Sequence, residues 1–247
     1  MDYINKNINK LPEYPFQKLR ILLKNLNRNE EIIDLSIGQP MHKTPDFVAT
    51  IIHKEKKNWH VYPPLSGLKV LRDSYKNWLT KRFIKDCFIN ENNILPLSGT
   101  KEGLFSISMA LNIKNIIVPN PFYQVYLGSS LFQNLPIELM NVGNKESYLM
   151  DLEKLEFQIK KTPSLIYFCN PSNPQGKCAS EFYIRQLIKL VRKYNSVLVI
   201  DECYTDIYTK KVPVGGMQVC EELGEGLKNI LIFHSLSKRS NVAGIRS

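Results

Sequence analysis

Three short runs in the second half of the chain constrain its fold more than any other feature. Leu165–Cys169, residues 197–200 and Ile230–Phe233 are continuously apolar, and each stops abruptly at a polar cluster. A strand with one wet face alternates apolar and polar residues, whereas a strand apolar at every position is covered on both faces. Between the first two runs lies the stretch 181–194. There Ile184, Leu187, Ile188 and Val191 recur at i, i+3, i+4, i+7, and Ser180 stands as the expected N-cap. This alternation predicts an α/β fold, a mostly parallel sheet sandwiched by helices. In such sheets ligands bind beyond the carboxyl ends of the strands. That rule directs attention to residues 170–177, 201–204 and 234–238.

The first half is less regular. Residues 16–26 read as a helix, 32–38 as a strand running into a Gly-Gln-Pro loop, and 67–85 as a helix with Leu68, Leu71, Tyr75, Trp78 and Leu79 on one side. Residues 100–111 read as a further helix entered through Ser98-Gly99-Thr100, followed by a strand at 115–118 and a Pro-rich loop at 119–122. A chain of 247 residues with 43% hydrophobic content can bury a sizeable core in one large domain, or in one domain and a small partner. The net charge of +10 is carried by lysines spread along the chain, which suits a solvated surface. Without a basic strip interleaved with aromatics, or zinc-finger spacing, a nucleic-acid partner is not expected. The five cysteines form no CxxC pair, which argues against a disulfide framework and a metal cluster. No stretch reaches the apolar length of a membrane span, and the expectation is a cytoplasmic protein with no membrane partner.

The polar clusters offer a specific chemistry. Lys238 closes the sequence SLSK just after an apolar strand, where partial desolvation lowers an amine's pKa and frees a nucleophile. Arg246 presents a planar fork suited to phosphate oxygens, and Ser235 can add a hydroxyl donor. Asp201 ends an apolar strand, and its carboxylate could hold a pyridine nitrogen protonated. Tyr204 and the amide of Asn173, in the turn-rich segment NPSNPQG, could share a phenolic oxygen on such a ring. Gly99, Thr100 and Lys101 open a helix, where backbone N–H groups favour phosphate. Taken singly, each residue also has a plain structural reading: a solvated lysine or arginine, a capping or ion-paired aspartate, a core tyrosine, a turn.

Their order is more specific. NPxNPxG, then a strand ending D-x-x-Y, then S-x-S-K, then G-x-R resembles the pyridoxal-5′-phosphate (PLP) dependent class I/II aminotransferases of fold type I. The resemblance extends over essentially the whole chain, through LSIGQP at 35–40, VYPPLSGLKVLR at 61–72 and PNPFYQVY at 119–126. EYPFQKLRILL, LPLSGTKEGLF, DECYTDIY, PVGGMQ and FHSLSKRSNVAGIRS are similar to the bacterial N-succinyldiaminopimelate aminotransferases of lysine and cell-wall precursor synthesis. The resemblance implies that Lys238 bonds the cofactor and then moves a proton at the substrate α-carbon. It implies that Asp201 faces the ring nitrogen, that Tyr204 and Asn173 hold the ring oxygen, and that Tyr123 stacks on the ring. Ser235, Arg246 and the helix start at Gly99, Thr100 and Lys101 would hold the phosphate, with help from Ser237. Gly38 would contact the substrate carboxylate through its backbone. Tyr62 would reach the phosphate of a neighbouring subunit, which implies a homodimer with shared sites.

The implied reaction exchanges an amino group between a small-molecule amino donor and a 2-oxo acid, with glutamate and 2-oxoglutarate as one pair. Other class I/II aminotransferases, acting on aspartate, aromatic substrates or LL-diaminopimelate, stay open, as do a PLP-dependent C–S lyase and an inactive remnant. The resemblance further implies an N-terminal arm with a contribution to a small domain over residues 1–45. It implies a PLP-binding large domain over 46–247, incomplete at its carboxyl end because members of the family continue well beyond the position of Ser247. A chain lacking the family's C-terminal arginine is expected to be incompetent by itself.

Overall fold

The parallel sheet and its covering helices account for most of the second half of the chain. The computed structural model describes residues 3–24, 33, 35–85, 88–145 and 147–247. In chain order the elements are α1 (Pro15–Leu23), α2 (Asp46–Lys54), α3 (Lys69–Arg82), α4 (Thr100–Ser106), β1 (Ile116–Asn120), α5 (Val125–Gln133) and β2 (Ile137–Asn141). They continue with α6 (Leu152–Ile159), β3 (Leu165–Cys169), α7 (Glu181–Lys193), β4 (Val197–Asp201), α8 (Gly216–Leu223), β5 (Ile230–Phe233) and α9 (Leu236–Arg239). The five strands form one sheet in the order β2-β1-β3-β4-β5, and every neighbouring pair is parallel. The strand succession reverses between β1 and β3, the switch point beyond whose carboxyl ends sheets of this kind bind ligands.

The two faces of the sheet are covered by different helices. Ile117, Ile166, Phe168, Leu198 and Ile200 pack under α6, α7 and α8, whereas Ile116, Val118, Leu165, Tyr167 and Val199 face Leu104 of α4 and Val125 and Tyr126 of α5. Successive residues of each central strand thus enter opposite cores, which is why the runs carry no polar position. Helix α7 buries Ile184, Leu187, Ile188 and Val191 completely. Each such side chain contributes roughly 1.5–3 kcal/mol of burial, an upper estimate because unfolded chains are already partly compact. The Ser180 hydroxyl accepts from the Tyr183 amide and starts the helix as expected. A third cluster joins α3 to α8 through Leu79, Phe83, Ile84, Ile89 and Met217.

Several expectations needed correction. The helix expected over 100–111 ends at Ser106 and tightens into a 3-10 turn, Ile107–Ala110. The strand expected at 115–118 begins at Ile116 and runs through Pro119 to Asn120, because its neighbour β2 pairs with it to the end, Asn120 opposite Asn141. Residues 33 and 35–38 form no strand: Ile33 and Leu35 are 83% and 87% exposed, and none of the described strands pairs with them. Ile32 and Asp34 lie outside the described residues, as do Cys87 and the expected last turn of α1 at Leu26. Helix α3 turns only part of its apolar stripe inward: Leu79 is buried, but Leu68 and Leu71 remain exposed. None of the described helices is long and apolar enough to cross a membrane.

Candidate active site

Strand register brings the chemistry together. Cys169 pairs with Asp201, and Asp201 with Phe233, so the loops after β3, β4 and β5 emerge side by side. Asp201 is 5% exposed. Its Oδ2 accepts from the Tyr126 hydroxyl at 3.1 Å and its Oδ1 from the Cys203 amide at 3.3 Å. Burial raises the Asp201 carboxyl above the ordinary carboxylate value, opposed by hydrogen bonds from Cys203 and Tyr126. It is a buried acid held by neutral donors, the Tyr126 hydroxyl and the amide and thiol of Cys203, and well placed to gain from a cation.

Beyond it, the Asn173 amide donates to the Tyr204 hydroxyl at 3.5 Å, and the Lys238 ammonium lies 5.8 Å from the centre of the Tyr204 ring. Lys238 Nζ donates to the Gly38 carbonyl, which draws the 35–40 loop over the strand ends. Burial pushes the Tyr204 phenol upward, and it pushes Tyr123 up to about 12, with the negative potential of Asp201 among the further causes. Tyr123 meets the Tyr126 ring edge-on, with centroids 5.9 Å apart.

The opposite wall is a cradle around Gly99. This residue has φ +87, and a Cβ there would collide with the Arg246 guanidinium. The positive φ is what favours glycine here, since the guanidinium is the movable end of a long side chain. Arg246 Nη1 donates to the Ala243 carbonyl at 3.0 Å, which fixes its fork beside Gly99. Thr100 Oγ1 lies 3.3 Å from Cys203 Sγ, tying the start of α4 to the loop after β4. Ser235 caps α9, accepting from the Ser237 amide at 3.1 Å while its hydroxyl donates to the Ser247 carbonyl at 3.2 Å. Lys101 is exposed on the first turn of α4. Tyr62 stands apart from this assembly, 97% exposed.

Of the residues singled out in the sequence, Gly38, Asn173, Tyr204 and Lys238 are linked to one another, and Gly99 with Arg246 and Thr100 form the wall beside Asp201. Tyr126, Cys203, Glu202 and His234 were not anticipated as parts of the site. For Glu202 and His234 a signal existed, since each is an ionisable residue directly at the end of an apolar strand. For Tyr126, which reaches Asp201 from a helix 75 positions earlier, the sequence carries none.

The fold and these residues define a three-layer parallel α/β protein with a lysine, a buried aspartate and an anion cradle at the ends of its strands. The family model for aminotransferase class I and II matches residues 30–247, and the chain belongs to that family. It is 30% identical over 245 residues to LL-diaminopimelate aminotransferase of Maridesulfovibrio salexigens and 29% identical to the protein of that name from Aquifex aeolicus, covering 96% of this chain in each case. It spans 61% of the length of those two relatives. Among solved structures it resembles an aminotransferase from Neisseria meningitidis, with a TM-score of 0.89 and 33% identity over 98% of this chain and 64% of that one. It also resembles the aminotransferase AspB from Helicobacter pylori, with a TM-score of 0.88 and 31% identity over 95% and 63%. Class I and II aminotransferases depend on PLP, and the residues present fit that group. A cradle that a side chain at Gly99 would fill lies against an arginine, and among the described residues the buried Asp201 carboxylate has no ion-pair partner, matching a phosphate at one end and a protonated ring nitrogen at the other.

Proposed function

We propose that this chain holds PLP on Lys238 and carries the cofactor half of a transaminase for diaminopimelate-type amino acids. The single observation that supports it best is the convergence of Lys238, Tyr204 and Asn173, from the ends of three different strands, beside the buried Asp201. The bound cofactor supplies an electron sink for the bonds at the substrate α-carbon. Asp201 would supply the fixed negative charge that favours a protonated ring nitrogen. Tyr204 and Asn173 would donate to the ring oxygen, their hydroxyl and amide already in contact. Tyr123 would lie against the ring face. Arg246 and Ser235, with the backbone at Gly99, Thr100 and Lys101 and help from Ser237, would bind the phosphate. The Lys238 amine would bond the cofactor and, once displaced by the amino donor, would take the proton from the substrate α-carbon. Gly38 would offer its backbone to the substrate carboxylate.

The substrate reading leans toward unsuccinylated diaminopimelate, because that is the name carried by the relatives that this chain resembles along nearly all its length. N-succinyldiaminopimelate is the competing donor. A homodimer is part of the proposal. Apolar side chains crowd the exposed surface of the first part of the chain, among them Trp59 at 70% and Leu65 at 104% exposure, and Tyr62 projects from the same segment toward what would be a second copy. Borohydride reduction of the PLP-treated protein followed by peptide mapping should label Lys238. A label on another lysine, or none, refutes the cofactor assignment. Turnover with 2-oxoglutarate, measured against free and succinylated diaminopimelate and aspartate, then decides the donor.

A further inference from the structure

Directly behind the proposed cofactor site lies a buried polar chain that the reading above does not use. Glu202 follows Asp201, His234 follows Phe233, and the pairing of Asp201 with Phe233 brings the two ionisable side chains out together. His234 Nε2 lies 2.8 Å from Glu202 Oε2, and His234 Nδ1 lies 2.5 Å from the Tyr75 hydroxyl of α3. The Gly216 amide, opening α8, donates to Glu202 Oε1 at 2.5 Å. The His234 and Glu202 side chains are 4% and 0% exposed. Trp78 and Phe83 flank the imidazole, with ring centroids at 5.0 and 5.5 Å.

Hydrogen-bond chemistry orders this chain. An ionised carboxylate only accepts, so the imidazole carries its proton on Nε2 toward Glu202. Burial holds the Tyr75 phenol well above its ordinary value, so Tyr75 keeps its proton and donates it to Nδ1. Every polar atom in the row is then satisfied, and each oxygen of the buried Glu202 side chain has a partner. Four elements meet in this row: α3 through Tyr75, β4 through Glu202, β5 through His234 and α8 through Gly216. Asp201 is the residue before Glu202, and Lys238, in the short helix α9, lies four residues past His234.

We infer that His234 is a positioning residue: through Glu202 and Tyr75 it fixes the separation of the two strand ends that carry Asp201 and Lys238. The inference rests on the roles proposed for those two residues and adds the device that holds them in register. The backbone bond from the Glu202 amide to the Phe233 carbonyl at 2.9 Å joins the strand ends, the side-chain row adds a second tie just beyond it, and a misplacement of about 1 Å at a reacting group costs on the order of 100-fold in rate.

The test compares His234→Phe, which keeps a ring but removes both hydrogen bonds, with His234→Gln, whose amide can still donate to Glu202. The expected result for His234→Phe is a fall in kcat of about 10- to 100-fold with KM for the amino donor changed less than about threefold. The pH midpoint of the bound PLP absorbance should move, and His234→Gln should recover most of both signals. A His234→Phe protein with wild-type kcat and an unchanged absorbance titration overturns the inference. Should that variant fail to fold, 15N NMR of the imidazoles in the cofactor-free wild-type chain decides. A His234 ring held as the Nε2–H tautomer with slow proton exchange supports the clamp, and a ring exchanging like a free imidazole overturns it. If wild-type protein takes up no PLP on Lys238, the transaminase reading is what fails, and the NMR result still decides the clamp.

Discussion

Asp201 illustrates a conflict between stability and function inside one side chain. Its folded-state pKa is raised by burial, so between the unfolded and folded values the native state binds more protons than the unfolded one. Stability therefore falls as pH rises through that window, and the loss persists at neutral pH. Asp201→Asn keeps an oxygen for Tyr126 or the Cys203 amide and removes the charge. The cofactor-free variant is expected to be at least as stable as wild type at pH 7. Its advantage should vanish as pH falls below about 3.9, the unfolded aspartate value. Denaturant melts across pH check this, and a variant markedly less stable at pH 7 would show that the carboxylate is already well compensated. Turnover should move the other way, falling by orders of magnitude because the charge facing the ring is gone. Gly99→Ala probes the other wall. A residue forced to φ +87 against the Arg246 guanidinium is expected to cost about 1–3 kcal/mol and to weaken PLP binding, readable by melting and by cofactor titration.

Among the elements, α7 was the most legible and its energetics are the simplest. Four core residues at helical spacing, a serine cap, Glu181 in the first turn and Arg192 and Lys193 in the last all agree on one helix. Leu187→Ala should cost about 2–5 kcal/mol, because the side chain is fully enclosed between α7 and the sheet. Ser180→Ala should cost about 1 kcal/mol, the usual loss of an N-cap. Urea titrations would show both, and a Leu187→Ala loss under 1 kcal/mol would mean that the core there collapses to fill the gap. Strands β3, β4 and β5 were equally readable. Strand β2 and helices α5, α6 and α8 were not. In β2, Glu138 and Leu139 are exposed and only Met140 is buried, the pattern of an edge strand half open to solvent, which its short mixed sequence does not announce. Helix α8 starts at a glycine whose amide is held by Glu202, a partner remote in sequence.

For the molecule as a whole, large exposed apolar side chains are frequent in the first part of the chain. Phe47, Trp59, Val61, Tyr62, Leu65 and Val70 are all more than half exposed, and apolar side chains that gather into one exposed patch mark interaction sites. Under the proposed homodimer this is the covered face. The double variant Leu65→Glu, Val70→Glu should weaken self-association at least tenfold in sedimentation experiments while leaving the melting of the sheet domain nearly unchanged. Association insensitive to those charges would move the interface elsewhere. The position of Tyr62 within that face links the same experiment to cofactor binding, since loss of association should also lower PLP affinity if the tyrosine serves a second copy.

The sequence by itself determined the layered α/β architecture, because strands buried on both faces must be apolar throughout and a helix over them must repeat its apolar residues every three to four positions. It also determined the kinds of group at the strand ends, since a parallel sheet delivers whatever follows each strand to one edge. The tertiary structure alone decided which of those groups touch. Register set Asp201 beside Phe233, the meeting of β1 and β3 set the switch point, and helices distant in sequence brought Tyr126 to Asp201 and Tyr75 to His234. Such contacts depend on packing between segments far apart along the chain, and local spacing carries no record of them.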